Sequence, residues 1–335
     1  MVVCTRRHMD MAVGRASCWL LIPLLLLLLP SASAGGRGGG LFVVVTFPGL
    51  AQDVGLLVCE DDYVVSLVPP GVDPHEYQLR PGDLRLLEDA DLIISTGHTP
   101  FEARIRELVE AGELGGVLVE VPSIPGIRLL ENPATGQPNY HMPIYDPLNY
   151  VRFVEYVSGL LADMRPSRAG DYEEKAEEVV RTVGEMVEEA PELGLRAVAD
   201  MPVVPYAVSW LGVDVAYVML KEPCVPATPG ELMEVEEAMA EGEVGLAVVC
   251  YPVATSSSEQ LEDMAREHGI PVLYVPSPMS QGSIPDKLSE VLEGARALST
   301  PEVGGATSLG PLALTLASAL LVAATLAVVK EYAGR

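Results

Sequence analysis

Three histidines stand in loops of similar make-up: His75 in GVDPHEY (71–77), His98 in STGHTPFE (95–102) and His141 in NYHMPIYDP (139–147). Imidazole nitrogens suit zinc and neighbouring transition ions, so each ring is a candidate ligand as well as a candidate catalyst or a plain polar loop residue. The loops are stiff, because Pro69, Pro70 and Pro74 surround the first histidine, and Gly97 and Pro100 bracket the second. Asp73 and Glu102 lie close enough in sequence to orient imidazoles from behind. His268, in REHG at a helix end, reads as a cap complementing the helix dipole.

Such distant loops meet only if the fold brings them together. Apolar runs at 41–47, 63–69, 91–96 and 116–121 read as buried strands, and PGDLRLLEDA and PFEARIRELVEAG between them carry helical periodicity, each opened by proline. That alternation favours a mostly parallel sheet covered by helices. In open sheets of this kind ligands collect beyond the carboxyl ends of the strands, which is where His75 and His98 fall; His141 enters the helical region that follows. An apolar-striped stretch from Pro147 to Pro166 and a long charged one from Ser167 to Glu189 precede a second alternation of strands (LRAVAD, VDVAYVML, GLAVVCYP, PVLYVP) with helices.

The expected fold class is therefore α/β: two similar lobes, each a mostly parallel sheet flanked by helices, joined by one long rigid helix, with a C-terminal transmembrane anchor. Residues 1–34 have the layout of a secretory signal, with Arg6, Arg7 and Arg15 ahead of an apolar run and SASA as a cleavage site. A flexible leader (35–40), an N-terminal lobe (41–166), a connecting helix (167–192), a C-terminal lobe (193–298) and a linker (299–308) follow. Leu309 to Val329 is free of charge and long enough to cross a hydrocarbon core of about 30 Å. Lys330 and Arg335 then place a short tail (330–335) in the cytoplasm and the body on the extracellular face as a single-pass protein.

The net charge of −26 argues against nucleic acid, which needs clustered Lys and Arg. Of the five cysteines, Cys4 and Cys18 leave with the signal; Cys59, Cys224 and Cys250 show no C-x-x-C spacing, so neither a disulfide framework nor a cysteine zinc knuckle is built. No H-E-x-x-H, G-x-S-x-G or telling acid–base pair is found, and no enzyme is expected.

The stretch SLVPPGVDPHEYQLRPGDLRLLEDADLIISTG, followed by YHMPIYDPLNYVRFVEYVSGLLADMRPSRAGDYEEKAEE, resembles the zinc- and manganese-binding solute receptors of ABC transporters, the cluster A-I family, over roughly residues 41–298. The resemblance implies capture of a divalent transition-metal ion, zinc in first place with manganese, nickel or copper behind, and its delivery to an ABC permease in the membrane. It assigns His75 and His141 to the first two ligand positions. The third and fourth depart from the family pattern: Met201 and Ser277 stand where the second lobe should supply a histidine and an acid. His98, which the family does not usually carry, offers a third nitrogen, and His75, His98 and His141 together would leave one coordination position open. A receptor for a metal chelate or an organic ligand, and less readily a zinc hydrolase, are the alternatives on the same layout.

Overall fold

In the computed structural model, residues 39–222, 225–252 and 255–299 are described. The expected signal, membrane span and cytoplasmic tail lie outside them. Among the described residues no helix is long and apolar enough to cross a membrane.

The first lobe is a four-stranded sheet in the order β2-β1-β3-β4, formed by β1 (Phe42–Val45), β2 (Tyr63–Ser66), β3 (Leu92–Ser95) and β4 (Val117–Glu120). Every pairing is parallel, with Val44 opposite Val65 on one side and Ile93 on the other. The valines of β1 and the leucine and isoleucines of β3 are fully buried, as expected of strands covered on both faces. The connections are α1 (Pro48–Gly55), α2 (Pro81–Glu88) and α3 (Pro100–Glu110), each with proline in its first turn.

Helices α4 (Pro147–Met164) and α5 (Ala169–Glu188) fold back on each other across a short turn at Pro166–Arg168. Asp146 caps α4 by accepting from Leu148 N–H and Asn149 N–H. Tyr172, Ala176, Val179 and Val183 give α5 its buried stripe, with Val180 and Met186 packed beside it, while Glu173, Glu174, Glu177, Glu178, Arg181 and Glu185 face water. The turn is pinned to the first lobe: Arg165 pairs with Asp61 and Asp62, and the Tyr172 hydroxyl donates to Asp62 at 2.8 Å.

The second lobe repeats the plan with β5 (Arg196–Ala199), α6 (Val204–Val208), β6 (Asp214–Val218), the antiparallel hairpin β7 (Leu220–Glu222) and β8 (Val225–Pro226), α7 (Pro229–Ala240), β9 (Leu246–Tyr251), α8 (Ser256–His268), β10 (Val272–Pro276) and α9 (Ile284–Ser299). Its main sheet has the order β10-β9-β5-β6 and is again all parallel. The eight sheet strands match the eight apolar runs of the sequence. Helices α1 and α6 and the β7–β8 hairpin have no counterpart in the sequence reading.

One hydrophobic core runs through both lobes by way of α4 and α5, and a smaller one fills the outer face of the second sheet. The lobes are also bolted together by buried polar contacts. Asp53 of α1 accepts from the Tyr150 hydroxyl at 3.0 Å and from Ile284 N–H at 2.7 Å, and the Tyr145 hydroxyl donates to the Pro276 carbonyl at 2.6 Å. Gly49 in α1 is required at its position, since a Cβ there would lie 2.6 Å from the Pro278 carbonyl oxygen.

Candidate metal centre

The three sequence-predicted histidines come together. His75 lies in the loop after β2, His98 in the loop after β3, and His141 in the segment leading into α4. Ring centroids are 5.4 Å apart for His75 and His98, 5.3 Å for His98 and His141, and 6.5 Å for His75 and His141. One nitrogen from each lies within 4.8 Å of the others. The first two loops flank β1 in the strand order, so the cluster sits at the reversal point of the sheet, where connections leave in opposite directions and open a crevice.

Each ring is held by the same device. Nδ1 of His75 is 3.1 Å from the Asp73 carboxylate, Nδ1 of His98 is 2.9 Å from the Thr96 hydroxyl, and Nδ1 of His141 is 2.9 Å from the Asn139 side-chain oxygen. In every case the acceptor stands two residues ahead of the histidine. Asp73 and Asn139 also accept the histidine's own N–H, at 2.9 and 3.0 Å, which closes a turn around the ring. Because Asp73 and Asn139 accept, and the Thr96 hydroxyl already donates to Glu102, Nδ1 is the protonated nitrogen of each neutral ring, which leaves the lone pair on Nε2. The Nε2 atoms of His75 and His141 are buried without a hydrogen-bond partner. Orphaned acceptors facing one another form an arrangement that a cation satisfies.

Electrostatics favour the same protonation state. Burial, reinforced by the neighbouring His98 and His75, pushes His141 down to about 3, and burial likewise lowers His98 against the opposing pull of Glu102. Both rings therefore favour the neutral state that a metal ligand needs. Phe47 stacks on His98 with its ring 9° from parallel, which walls the cluster on the β1 side.

Glu102 anchors the middle histidine from behind. Its fully buried carboxylate accepts from the N–H groups of Thr96, His98 and Thr99 and from the hydroxyls of Thr96 and Thr99, at 2.7 to 3.1 Å. Burial alone would raise this carboxyl, yet the converging donors hold it below its usual range. Gly97 makes the sharp exit from β3 with φ of +75°.

The positions matched to the family's second-lobe ligands have other occupations. Met201 packs half-buried against the main core, and Ser277 is buried, its Oγ accepting from Met279 N–H at 3.2 Å. Sequence reasoning missed Thr96 and Asn139, although an acceptor two residues before each histidine is visible in D-P-H, T-G-H and N-Y-H. Asn139 also ties the site to the second lobe: its amide donates to the Pro202 carbonyl at 2.6 Å, and its carbonyl accepts from the Tyr206 hydroxyl at 2.5 Å.

Known proteins share this fold. The structure of the SBP FpvC from Pseudomonas aeruginosa in complex with Mn2+ superposes with a TM-score of 0.63 at 19% identity, covering 78% of this chain and 100% of that one. The crystal structure of ZnuA gives 0.61 at 20% identity, with 77% and 98% covered. Both likenesses establish the two-lobed fold. The manganese-binding lipoprotein MntA of Halalkalibacterium halodurans is 28% identical over 149 residues, 44% of this chain and 48% of that protein. The chain thus spans about half the length of the curated relatives it matches. The family described as ZnuA, zinc-uptake complex component A, periplasmic, matches residues 43–292, and the chain belongs to that family.

Proposed function

We propose that this protein is an extracellular solute-binding receptor that takes up a divalent transition-metal ion between His75, His98 and His141 and delivers it to an ABC permease. The observation that carries this reading is the convergence of three imidazoles whose Nδ1 atoms are all tied back, which turns their Nε2 atoms toward one another. Three nitrogen donors with a further position open suit zinc, and tolerate nickel or copper. Family membership and the Mn2+ carried by the structural relative FpvC support a metal cargo. Donors supplied by the protein itself favour a bare ion over a chelate, which brings its own. On this reading the charge-free segment 309–329 tethers the receptor to the outer face of the membrane after the signal peptide is removed.

Elemental analysis of the purified protein and titration with zinc, manganese, nickel and copper test the proposal. One ion per chain is expected, and replacing His75 and His141 together by Ala should abolish binding while leaving the cores intact. Full affinity in the double variant would sink the metal assignment. Removal of residues 305–335 should release the protein from membranes; continued partitioning with them would refute the tether.

A further inference from the structure

We propose that Glu222, at the end of β7 in the second lobe, is the fourth donor to the ion. The inference rests on the metal reading above and deepens it. Three imidazoles leave a four-coordinate ion one ligand short and do nothing to offset its double positive charge, which is costly in a partly desolvated crevice. A carboxylate is the donor that answers both needs.

Glu222 Oε2 lies 3.4 Å from His141 Nε2. That separation is too long for a charge-assisted hydrogen bond, for which about 2.7–2.9 Å is usual. It is the spacing of two donors sharing one ion: with bonds of about 2.0–2.1 Å at the tetrahedral angle, neighbouring ligand atoms stand about 3.3–3.4 Å apart. The carboxylate is aimed from the first lobe. Asn132, 1% exposed, sends its amide to the Lys221 carbonyl at 2.9 Å and to Glu222 Oε1 at 3.4 Å, which leaves Oε2 for His141; to reach the other two rings the carboxylate must swing further inward. Asn132 is itself fixed, because its backbone N–H donates to Gln137 and its side-chain oxygen accepts from Ala134 N–H. Lys221 is turned to Glu231 at 2.7 Å, so Glu231 engages the cation next to Glu222.

The side chain of Glu222 is 47% exposed, so it can adjust on a two-stranded hairpin without unpacking a core. Met201 and Ser277 leave the second lobe without an anionic donor at the positions matched to the family, and the hairpin brings one from a different element. A set of three nitrogens and one carboxylate oxygen retains zinc and admits the harder manganese ion, which imidazoles alone hold poorly.

The test compares the full-length protein with Glu222→Gln, Glu222→Ala and Glu222→His, titrated with Zn2+, Mn2+ and Co2+ against a competing chelator. The metal-free variants should melt at the wild-type temperature. Glu222→Gln and Glu222→Ala should weaken Zn2+ by about 100-fold or more, beyond the roughly 10–100-fold typical of groups that only orient a ligand. Mn2+ should be lost more completely, and the Co2+ absorption should shift as water replaces the carboxylate. Glu222→His should restore Zn2+ without Mn2+. Wild-type affinity and an unchanged Co2+ spectrum in the Gln and Ala variants would overturn the assignment while leaving the three-histidine site standing. A wild-type protein that takes up none of the three ions would overturn the metal reading, and Glu222 with it.

Discussion

Replacing Glu102 by Gln keeps the shape of the side chain and changes one acceptor into a donor. The carboxylate serves five donors in the His98 loop, three of them backbone N–H groups. If the new amide nitrogen takes the Oε1 place it faces Thr96 N–H, and if it takes the Oε2 place it faces those of His98 and Thr99. The first arrangement is the milder, since the Thr96 hydroxyl can reverse, and it orphans one buried N–H at about 1–3 kcal/mol. The remaining bonds lose the assistance of a full negative charge, and the sum comes to about 3–5 kcal/mol. For a protein of this size that lowers the melting temperature by roughly 5–15 °C. Because Thr96 also positions Nδ1 of His98, cobalt affinity should fall by about 10–100-fold. Thermal melts of the metal-free protein and a cobalt titration read the two effects separately. A melting temperature within about 2 °C of wild type would refute the claim that this carboxylate holds the loop.

Gly97→Ala forces a side chain into the left-handed region and within 3.2 Å of Glu120 Oε1; it should cost about 1–2 kcal/mol in urea unfolding and weaken metal binding by displacing His98. Burial lifts the Asp53 carboxyl from 3.8 to about 6, so between those values the folded state holds a proton that the unfolded chain has lost, and stability falls as pH rises through that window. Asp53→Asn removes this slope, and relative to wild type it should gain about 2 kcal/mol between pH 4 and pH 7 in urea midpoints. A difference independent of pH would contradict the raised carboxyl.

The strands were legible because buried parallel strands must be apolar along their whole length, and VVV in β1 or LII in β3 has no other reading between turn signals. Helix starts were legible where proline opened them, as at Pro81, Pro100 and Pro147. Helix α1, also opened by proline, was hidden because its eight residues, PGLAQDVG, carry two glycines and too little charge to set off a polar face; Gly49 is explained only by the approach of Pro278 from the other lobe, a tertiary fact. The β7–β8 hairpin was hidden for a similar reason, since two- and three-residue strands leave no period to read. Within the site, His75 and His98 followed from strand ends, whereas the dependence of His141 on Pro202 and Tyr206 joins residues more than sixty positions apart and has no local signature.

That same link has a consequence for synthesis. All three imidazoles belong to the part of the chain that leaves the ribosome first, and a nascent first lobe already contains every nitrogen of the cluster. Yet the side chain that orients His141 takes its own bearing from Pro202 and Tyr206, which are made later. On the metal reading, a half-made polypeptide has the donors without their alignment and would bind stray ions weakly. On the proposed reading, tight capture would begin once the second lobe has closed over Asn139, and possession of the ion would report that folding is complete.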